Sequence, residues 1–145
     1  MSELVLENAQ KIVNASIAYG REKNLMKLAV AVLDARGALK SFGAEEGTSL
    51  KRAEIAIGKA NAALAMGIGT RSINKMAKDR PYFIGSVTNA VGGSFVPVPG
   101  GVLIKSQSGG ILGAVGISGD VSDNDEAAAI AGIVSVGLLA DPGKD

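Results

Sequence analysis

The chain has 145 residues, of which 47% are hydrophobic, and its 15 Lys and Arg against 14 Asp and Glu give a formal net charge of +1. This length suits a single domain over residues 1–145 that buries its own core. The balanced charge, without a basic stripe, argues against nucleic acid as a partner, and no apolar run is long enough to cross a membrane. A small domain of near-zero charge resists self-association poorly, which favours a homo-oligomer.

The chain contains no cysteine and no histidine. The lack of cysteine excludes disulfides, thiol nucleophiles, thiolate zinc sites and iron–sulfur clusters. The lack of histidine removes the commonest general base, metal ligand and haem ligand. Any chemistry must therefore use carboxylates, lysine, arginine, tyrosine, hydroxyls or the backbone, and no metal site is predicted. The first residues, Met1 to Leu4, lack a basic region followed by an apolar stretch, which predicts no secretory signal and a cytoplasmic location.

Hydrophobic periodicity predicts a helix followed by a hairpin at the start of the chain. The helix extends from about Glu3 to Lys23, with its apolar residues at helical spacing. The segment Met26 to Leu33 alternates like a strand, with larger side chains on one face and Lys27, Ala29 and Ala31 on the other. A turn at Asp34–Gly37 then predicts an antiparallel return strand over Ala38–Ala44.

A second helix is predicted from a cap at Thr48 or Ser49 to about Met66, ended by Gly67-Ile68-Gly69. One face carries only small residues, which allows this helix to lie close against a sheet or a partner: Ala53, Ala56, Ala60 and Ala63. A short helix over Arg71–Lys78 is predicted to stop before Pro81. Tyr82 to Phe95 is predicted to be an irregular loop over the sheet.

The second half of the chain predicts two strands, a helix and a frayed tail. The strands, about Val102–Lys105 and Ile111–Ser118, are joined by a turn at Gln107–Gly110. The helix extends from about Asp123 to Leu139, with Ser122 or Asp123 as its cap, and Asp141–Asp145 is predicted to fray. Because the links between strands are short, they exclude a parallel arrangement for those pairs. The pattern predicts one antiparallel sheet with helices packed on it.

The run Gly109–Asp120 is the richest in glycine and leads into Ser122–Ala127. Glycine inside a strand is destabilising, so repeated glycines there indicate the close approach of another backbone, a subunit or a ligand. A glycine turn before a helix N-terminus also offers backbone N–H groups to an anion. The spacing Gly113-x-x-Gly116-x-x-Gly119 does not match a dinucleotide-binding fingerprint.

Three segments in series resemble the GlcG/HbpS-like family, which includes the C-terminal domain of the PduO corrinoid adenosyltransferases. They are the hairpin Leu28–Gly37, the helix Ser49–Ala60, and the run from Pro99–Ile104 through Gly113–Gly119 to Asp125-Glu126. The resemblance implies an α+β profilin-like sandwich, with an antiparallel five-stranded sheet and flanking helices, assembled into dimers or larger rings. It also implies haem binding for some members, and accessory roles in glycolate, propanediol or glycerol utilisation for others.

The chain departs from the family pattern in three respects. Leu103 stands where the family often has proline, and Phe42–Gly47 lacks the usual RMDGA sequence. Without histidine, a histidine-ligated haem cannot be carried over from the resemblance. The other conceivable haem ligands are two tyrosines and two methionines, and core packing is the favoured interpretation of the methionines: Tyr19, Tyr82, Met66 and Met76.

The predicted catalytic residues are Lys59 and Glu126. Lys59 matches the family's Lys-Ala pair, and a desolvated ammonium there can bind an anion or act as a nucleophile; the alternative is an ordinary exposed lysine. Glu126 follows the glycine turn, whereas capping and compensation of the helix dipole are the alternative for it and Asp125. The predicted ligand-binding residues are an arginine after a helix end and three turn glycines: Arg71, Gly100, Gly101 and Gly119.

These residues support three hypotheses of different classes. The leading one is a GlcG/HbpS-like protein that binds haem or another small anionic ligand between the glycine turns and the second helix. The second is a cofactor-independent lyase, hydratase or isomerase for a small carboxylate or carbonyl compound. In that enzyme Arg71 and the Gly100-Gly101 amides hold the carboxylate while Lys59 or Glu126 moves the proton. The third is a scaffold whose small-residue faces serve only subunit packing.

Overall fold

A computed structural model of the chain describes residues 3–145; Met1 and Ser2, which belong to the segment that predicts no secretory signal, lie outside the described residues. None of the helices in the described part is long and apolar enough to span a membrane. The helices are α1 (Leu6–Glu22), α2 (Arg52–Met66), α3 (Thr70–Asp79), α4 (Pro81–Ala90) and α5 (Ser122–Ser135). The strands are β1 (Ala29–Asp34), β2 (Leu39–Ala44), β3 (Gly101–Lys105), β4 (Ile111–Ser118) and β5 (Leu139–Asp141).

The strands form one five-stranded sheet in the order β2-β1-β4-β3-β5, and every neighbouring pair is antiparallel. The two hairpins β1–β2 and β3–β4 lie side by side, because β1 pairs with β4 in a register that places Val32 opposite Val115. This confirms the predicted α+β fold, with an antiparallel five-stranded sheet and flanking helices. The middle strand β4 is the glycine-rich segment of the sequence.

The sheet is covered on both faces. On one face, α1 and α5 enclose the main core, in which Val30 and Val32 meet Ile12 and Ile133. On the other face, α2 packs its alanines on the small residues of the sheet, so that Ala56 contacts Ala29 and Ala31. Because side chains of a strand alternate between faces, β1 presents valines to one layer and alanines to the other. The small-residue stripe of α2 therefore lies against the sheet, which is one of the two neighbours predicted for it.

Glycine in β4 allows α2 to approach the sheet backbone. A Cβ at Gly116 would lie only 1.8 Å from the carbonyl oxygen of Ala56 in α2, and a Cβ at Gly113 would lie 2.1 Å from the carbonyl oxygen of Leu33 in the neighbouring strand β1. Such distances are too short for any other side chain. Of the three causes proposed for these strand glycines, close approach of another backbone is the one that the structure shows.

The prediction of an irregular loop over Tyr82–Phe95 is wrong, because the ten residues Pro81–Ala90 form α4. Proline ends one helix but also suits the first position of the next. An N–H at that position would have no partner within the helix, so its absence in proline costs nothing. Ile84 and Phe95 are buried and pack with Ile73 of α3. A small separate core thus fixes α4 and the segment that follows it.

The predictions for the last helix and the tail are also wrong. The helix α5 ends at Ser135, and Gly137 with φ of +78° turns the chain so that Leu139–Asp141 pairs with β3 and forms the edge of the sheet. The tail beyond it is held, since the N–H of Arg71 donates to the carbonyl of Pro142 at 3.1 Å. Because the apolar sequence continues past the end of α5, its periodicity extended the predicted helix over the residues that form the edge strand.

The predicted helix caps do not form. Lys51 rather than Thr48 or Ser49 precedes α2, and Val121 rather than Ser122 or Asp123 precedes α5, in both cases without a side-chain cap hydrogen bond. The hydroxyl of Thr48 donates instead to the carbonyl of Glu45, Ser49 accepts from Nε of Arg52, and Asp123 pairs with Arg71. The predicted stop of α2 is confirmed, because Gly67 adopts the left-handed conformation with φ of +70°.

Candidate functional site

Lys59 lies on the sheet-facing side of α2 and is only 3% exposed. Its Nζ donates to the carbonyl oxygen of Ile117 at 2.8 Å and to Oδ2 of Asp125 at 3.1 Å. Asp125 is 1% exposed, and its Oδ1 accepts the N–H of Asp120 at 2.9 Å. The interpretation of Lys59 as an exposed helical lysine is therefore wrong, and a buried ion pair joins α2, β4 and α5.

Burial shifts both members of this pair toward their neutral forms. Desolvation lowers the pKa of Lys59 below its ordinary value, although the charge of Asp125 opposes the shift. Desolvation likewise raises the pKa of Asp125, against the effect of Lys59 and of the backbone N–H of Asp120. Each charge is tolerated because the other is present, so loss of one partner leaves an uncompensated charge in the interior.

The two glycines at the start of β3 allow the backbone of this segment to contact Lys59 closely. Gly100 has φ of +122°, and a Cβ there would lie 2.8 Å from Nζ of Lys59. The N–H of Gly101 donates to Oγ1 of Thr70 at 2.8 Å, and a Cβ at Gly101 would lie 2.4 Å from the carbonyl oxygen of Lys59. The side chains of Lys59 and Thr70 thus take the space that the sequence assigned to a ligand, between these glycines and α2. A ligand-binding role for the two glycines stays a prediction.

Gly119 ends β4 in a second close contact. Its φ is +152°, and a Cβ there would lie 2.1 Å from the carbonyl oxygen of Lys27. The next residue, Asp120, accepts the N–H of Met26 at 2.7 Å through Oδ2. The turn therefore fastens the segment before β1 to the start of α5, and binding of a ligand by Gly119 stays a prediction.

The structure brings together two of the predicted site residues, Arg71 and Glu126. Nε of Arg71 donates to Oε2 of Glu126 at 2.9 Å, and the carboxylate of Glu126 is only 13% exposed. The other nitrogens of the guanidinium donate to the exposed carboxylates of Asp123 and Asp145. Hydrogen bonds to Glu126 and the other carboxylates raise the pKa of Arg71 above its ordinary value. Glu126 and Lys59 therefore serve separate ion pairs.

A cavity of about 610 Å³ opens beside Arg71. Three cations of α3 line it at positions i, i+4 and i+7, which lie on one face of a helix; only the first of them was predicted as a site residue, although this spacing is visible in the sequence. The remaining lining residues combine an amide, carboxylates, a hydroxyl and two apolar side chains. The full lining is Arg71, Asn74, Lys75, Lys78, Asp79, Val98, Pro99, Ser122, Asp123 and Asp145.

The four conceivable haem ligands lie elsewhere in the described structure. Tyr19 lies on α1, where the ammonium of Lys23 is 5.8 Å from its ring centre, and Tyr82 on α4 is 86% exposed. Met66 and Met76 pack with the small core around Ile73, which confirms core packing for the methionines. None of these four residues lines the cavity beside Arg71.

The fold is similar to three solved structures. A PduOC:heme complex aligns with a TM-score of 0.83 at 21% identity, over 94% of this chain and 96% of that one. HbpS aligns with a TM-score of 0.80 at 24% identity, over 94% and 92%. The Klebsiella pneumoniae protein ORFY aligns with a TM-score of 0.84 at 20% identity, over 96% and 94%. At these identities the likeness shows a shared fold.

A search of the curated proteins gave no match. A protein-family model described as haem degrading protein HbpS-like matches residues 4–134, which include all three segments of the sequence resemblance and every predicted site residue. The match extends over most of the chain. The chain belongs to the HbpS-like family.

Proposed function

We propose that this protein binds haem or another small carboxylate-bearing ligand in the cavity beside Arg71. The observation that carries the proposal is the row of cations Arg71, Lys75 and Lys78 on one face of α3, facing a cavity of about 610 Å³. Arginine binds carboxylates through paired N–H donors, and lysine adds charge. The family is described as haem degrading, and one of the similar structures is a complex with haem, which carries two propionate carboxylates.

The lining residues fit the carboxylates of haem but do not fit a histidine-ligated iron. The sequence contains neither histidine nor cysteine. The described lining also contains neither methionine nor tyrosine. The proposal therefore concerns recognition of the ligand through its carboxylates, with no chemistry assigned to the metal.

The exposed ion pairs of the cavity can exchange partners. Lys75 pairs with Asp79 at 3.0 Å, and both side chains are more than half exposed. Exposed pairs of this kind contribute little, about 0–1 kcal/mol each. A ligand carboxylate can replace the carboxylate of Asp79 at small cost, whereas the less exposed Glu126 stays on Arg71 and orients it. Lys78 is exposed and makes no ion pair among residues 3–145, so it is available to a ligand.

A fluorescence titration with metal-free protoporphyrin IX tests the proposal, with its dimethyl ester as a matched probe that lacks the carboxylates. We expect saturable binding of the acid and at least tenfold weaker binding of the ester. Lys78→Ala should weaken binding of the acid by about two- to fivefold, in the range of one exposed charge pair. The control Lys11→Ala removes an equal charge from α1 and should leave affinity unchanged. Equal affinity for acid and ester contradicts the proposal.

The enzyme hypothesis is a second candidate, favoured by the lowered pKa of Lys59. A lysine with a lowered pKa can act as a base or nucleophile on a small carbonyl or carboxylate compound. For this role Nζ must leave the carbonyl of Ile117 and Asp125 to reach a substrate. Separate Lys59→Ala and Glu126→Gln variants test it, with circular dichroism to verify folding. Unchanged turnover in both variants, for a substrate that the wild type converts, removes these assignments.

Three further predictions accompany the proposal: a homo-oligomer and a cytoplasmic location, and an accessory role in small-molecule catabolism that the family resemblance implies. The scaffold hypothesis predicts no shift of the melting temperature with any carboxylate ligand. A ligand that binds the folded state raises that temperature to an extent set by its affinity and concentration. A melting curve with saturating protoporphyrin IX therefore separates a binding protein from a pure scaffold.

A further inference from the structure

Residues 142–145, here called the strap, lie across the start of α3. The carbonyl of Pro142 accepts the N–H of Arg71 at 3.1 Å. Gly69 makes room for this contact, because a Cβ there would lie 1.9 Å from the carbonyl carbon of Pro142. The strap is therefore held against the helix by contacts that only glycine at this position allows.

Ser72 holds the strap at a second point. Its Oγ accepts the N–H of Lys144 at 2.8 Å and lies 3.1 Å from the carbonyl oxygen of the same residue, to which it donates. These contacts direct the next residue, Asp145, toward the cavity that Arg71 lines. The strap thus delivers a carboxylate to the proposed ligand site.

Asp145 occupies one nitrogen of the Arg71 guanidinium. Its Oδ1 and Oδ2 lie 3.3 and 3.2 Å from Nη1, while Nε is taken by Glu126. The side chain of Asp145 is 78% exposed, against 13% for Glu126. An exposed ion pair is weak and screened by salt, so Asp145, like the equally exposed Asp123 on Nη2, is a partner that a ligand can displace from Arg71.

We propose that the strap is a built-in competitor, in which Asp145 holds Nη1 of Arg71 until a ligand carboxylate replaces it. This inference rests on the proposed function, since it names the regulation of the same site. A ligand must overcome the Arg71–Asp145 pair, so the apparent affinity depends on how firmly the strap is anchored. Loosening the strap without changing any charge should therefore tighten ligand binding.

Fluorescence titration of protoporphyrin IX against variants of the full chain tests the strap. Asp145→Asn removes the competing charge, and Ser72→Ala removes the side-chain anchor at Lys144 without altering the net charge. Both should tighten binding by about two- to fivefold, the range of one exposed pair. Asp145→Glu keeps the charge and should bind like the wild type. Glu7→Gln changes the net charge on α1 and should have no effect.

The results separate this inference from the proposed function. Tighter binding by both Asp145→Asn and Ser72→Ala, with a difference that shrinks at high salt, supports the strap. Equal affinity of the wild type and Asp145→Asn overturns the strap while leaving carboxylate binding intact. Failure of the wild type and both variants to bind protoporphyrin IX saturably overturns the strap and the proposed function together.

Discussion

Replacement of Lys59 by methionine should destabilise the protein strongly, because it leaves the carboxylate of Asp125 buried without its partner. Asp125 is 1% exposed, and its remaining hydrogen bond comes from the N–H of Asp120. Breaking a buried ion pair by removing one partner costs about 3–5 kcal/mol. That is a large part of the roughly 5–15 kcal/mol by which domains of this kind are stable.

The double variant Lys59→Met/Asp125→Leu isolates the coupling between the two charges. Apolar residues of similar volume can replace a buried ion pair at little cost, although the N–H of Asp120 loses its acceptor, which costs about 1–3 kcal/mol. We therefore expect the double variant to be more stable than Lys59→Met alone. Urea unfolding followed by far-ultraviolet circular dichroism measures this, and it suits a chain that lacks tryptophan.

The pH dependence of Lys59→Met gives a second readout. Burial already raises the pKa of Asp125, and loss of Lys59 raises it further. A carboxyl group whose pKa is raised in the folded state reduces the stability of the protein as the pH rises from the unfolded pKa through the raised pKa. The destabilisation should therefore be largest at neutral pH and shrink in acid. Two results would refute this reasoning. One is a Lys59→Met variant as stable as the wild type at neutral pH, and the other is a double variant whose loss of stability equals the sum of the losses of Lys59→Met and Asp125→Leu.

Two other predictions concern close packing around the site. Gly116→Ala should lower stability by about 3 kcal/mol or more, or roughly 10 °C in melting temperature, because its Cβ would lie 1.8 Å from the carbonyl oxygen of Ala56. Gly85→Ala in α4 is the matched control and should not destabilise the protein, since nothing lies within 4 Å of a Cβ there. Thr70→Val should cost about 1–3 kcal/mol of stability, because it leaves the buried N–H of Gly101 without its acceptor, whereas Thr70→Ser keeps the hydroxyl. Urea unfolding of the two variants measures the difference, and equal stability of the two contradicts the prediction.

The arrangement of the sheet could be predicted because each segment carries a local pattern. The alternation of β1 separated the valine face from the alanine face, and the glycines of β4 indicated a close neighbour. Elements stabilised by distant contacts carry no such pattern. Pro81 was interpreted only as the end of a helix, and β5 forms because Leu139–Asp141 meets the open edge of β3, which no local signal records.

The candidate site was predicted in part, for a related reason. The match to the family's Lys-Ala pair singled out Lys59, but its partner Asp125 is 66 residues away and next to a helix start, where capping is the simpler local interpretation. The adjacent Glu126 points to a different side of α5 and pairs with Arg71. Neighbours in sequence thus serve separate ion pairs, which only the packing of α2 and α3 decides.

Chemical-shift mapping of the ¹⁵N-labelled protein with protoporphyrin IX tests most directly whether ligand carboxylates bind beside Arg71. We expect the largest amide shifts on α3, around Asn74 and Lys78, and on the strap at Lys144 and Asp145, and we expect the dimethyl ester not to produce them. Shifts centred instead on exposed Tyr82 of α4, or equal shifts with acid and ester, would contradict the assignment of the site.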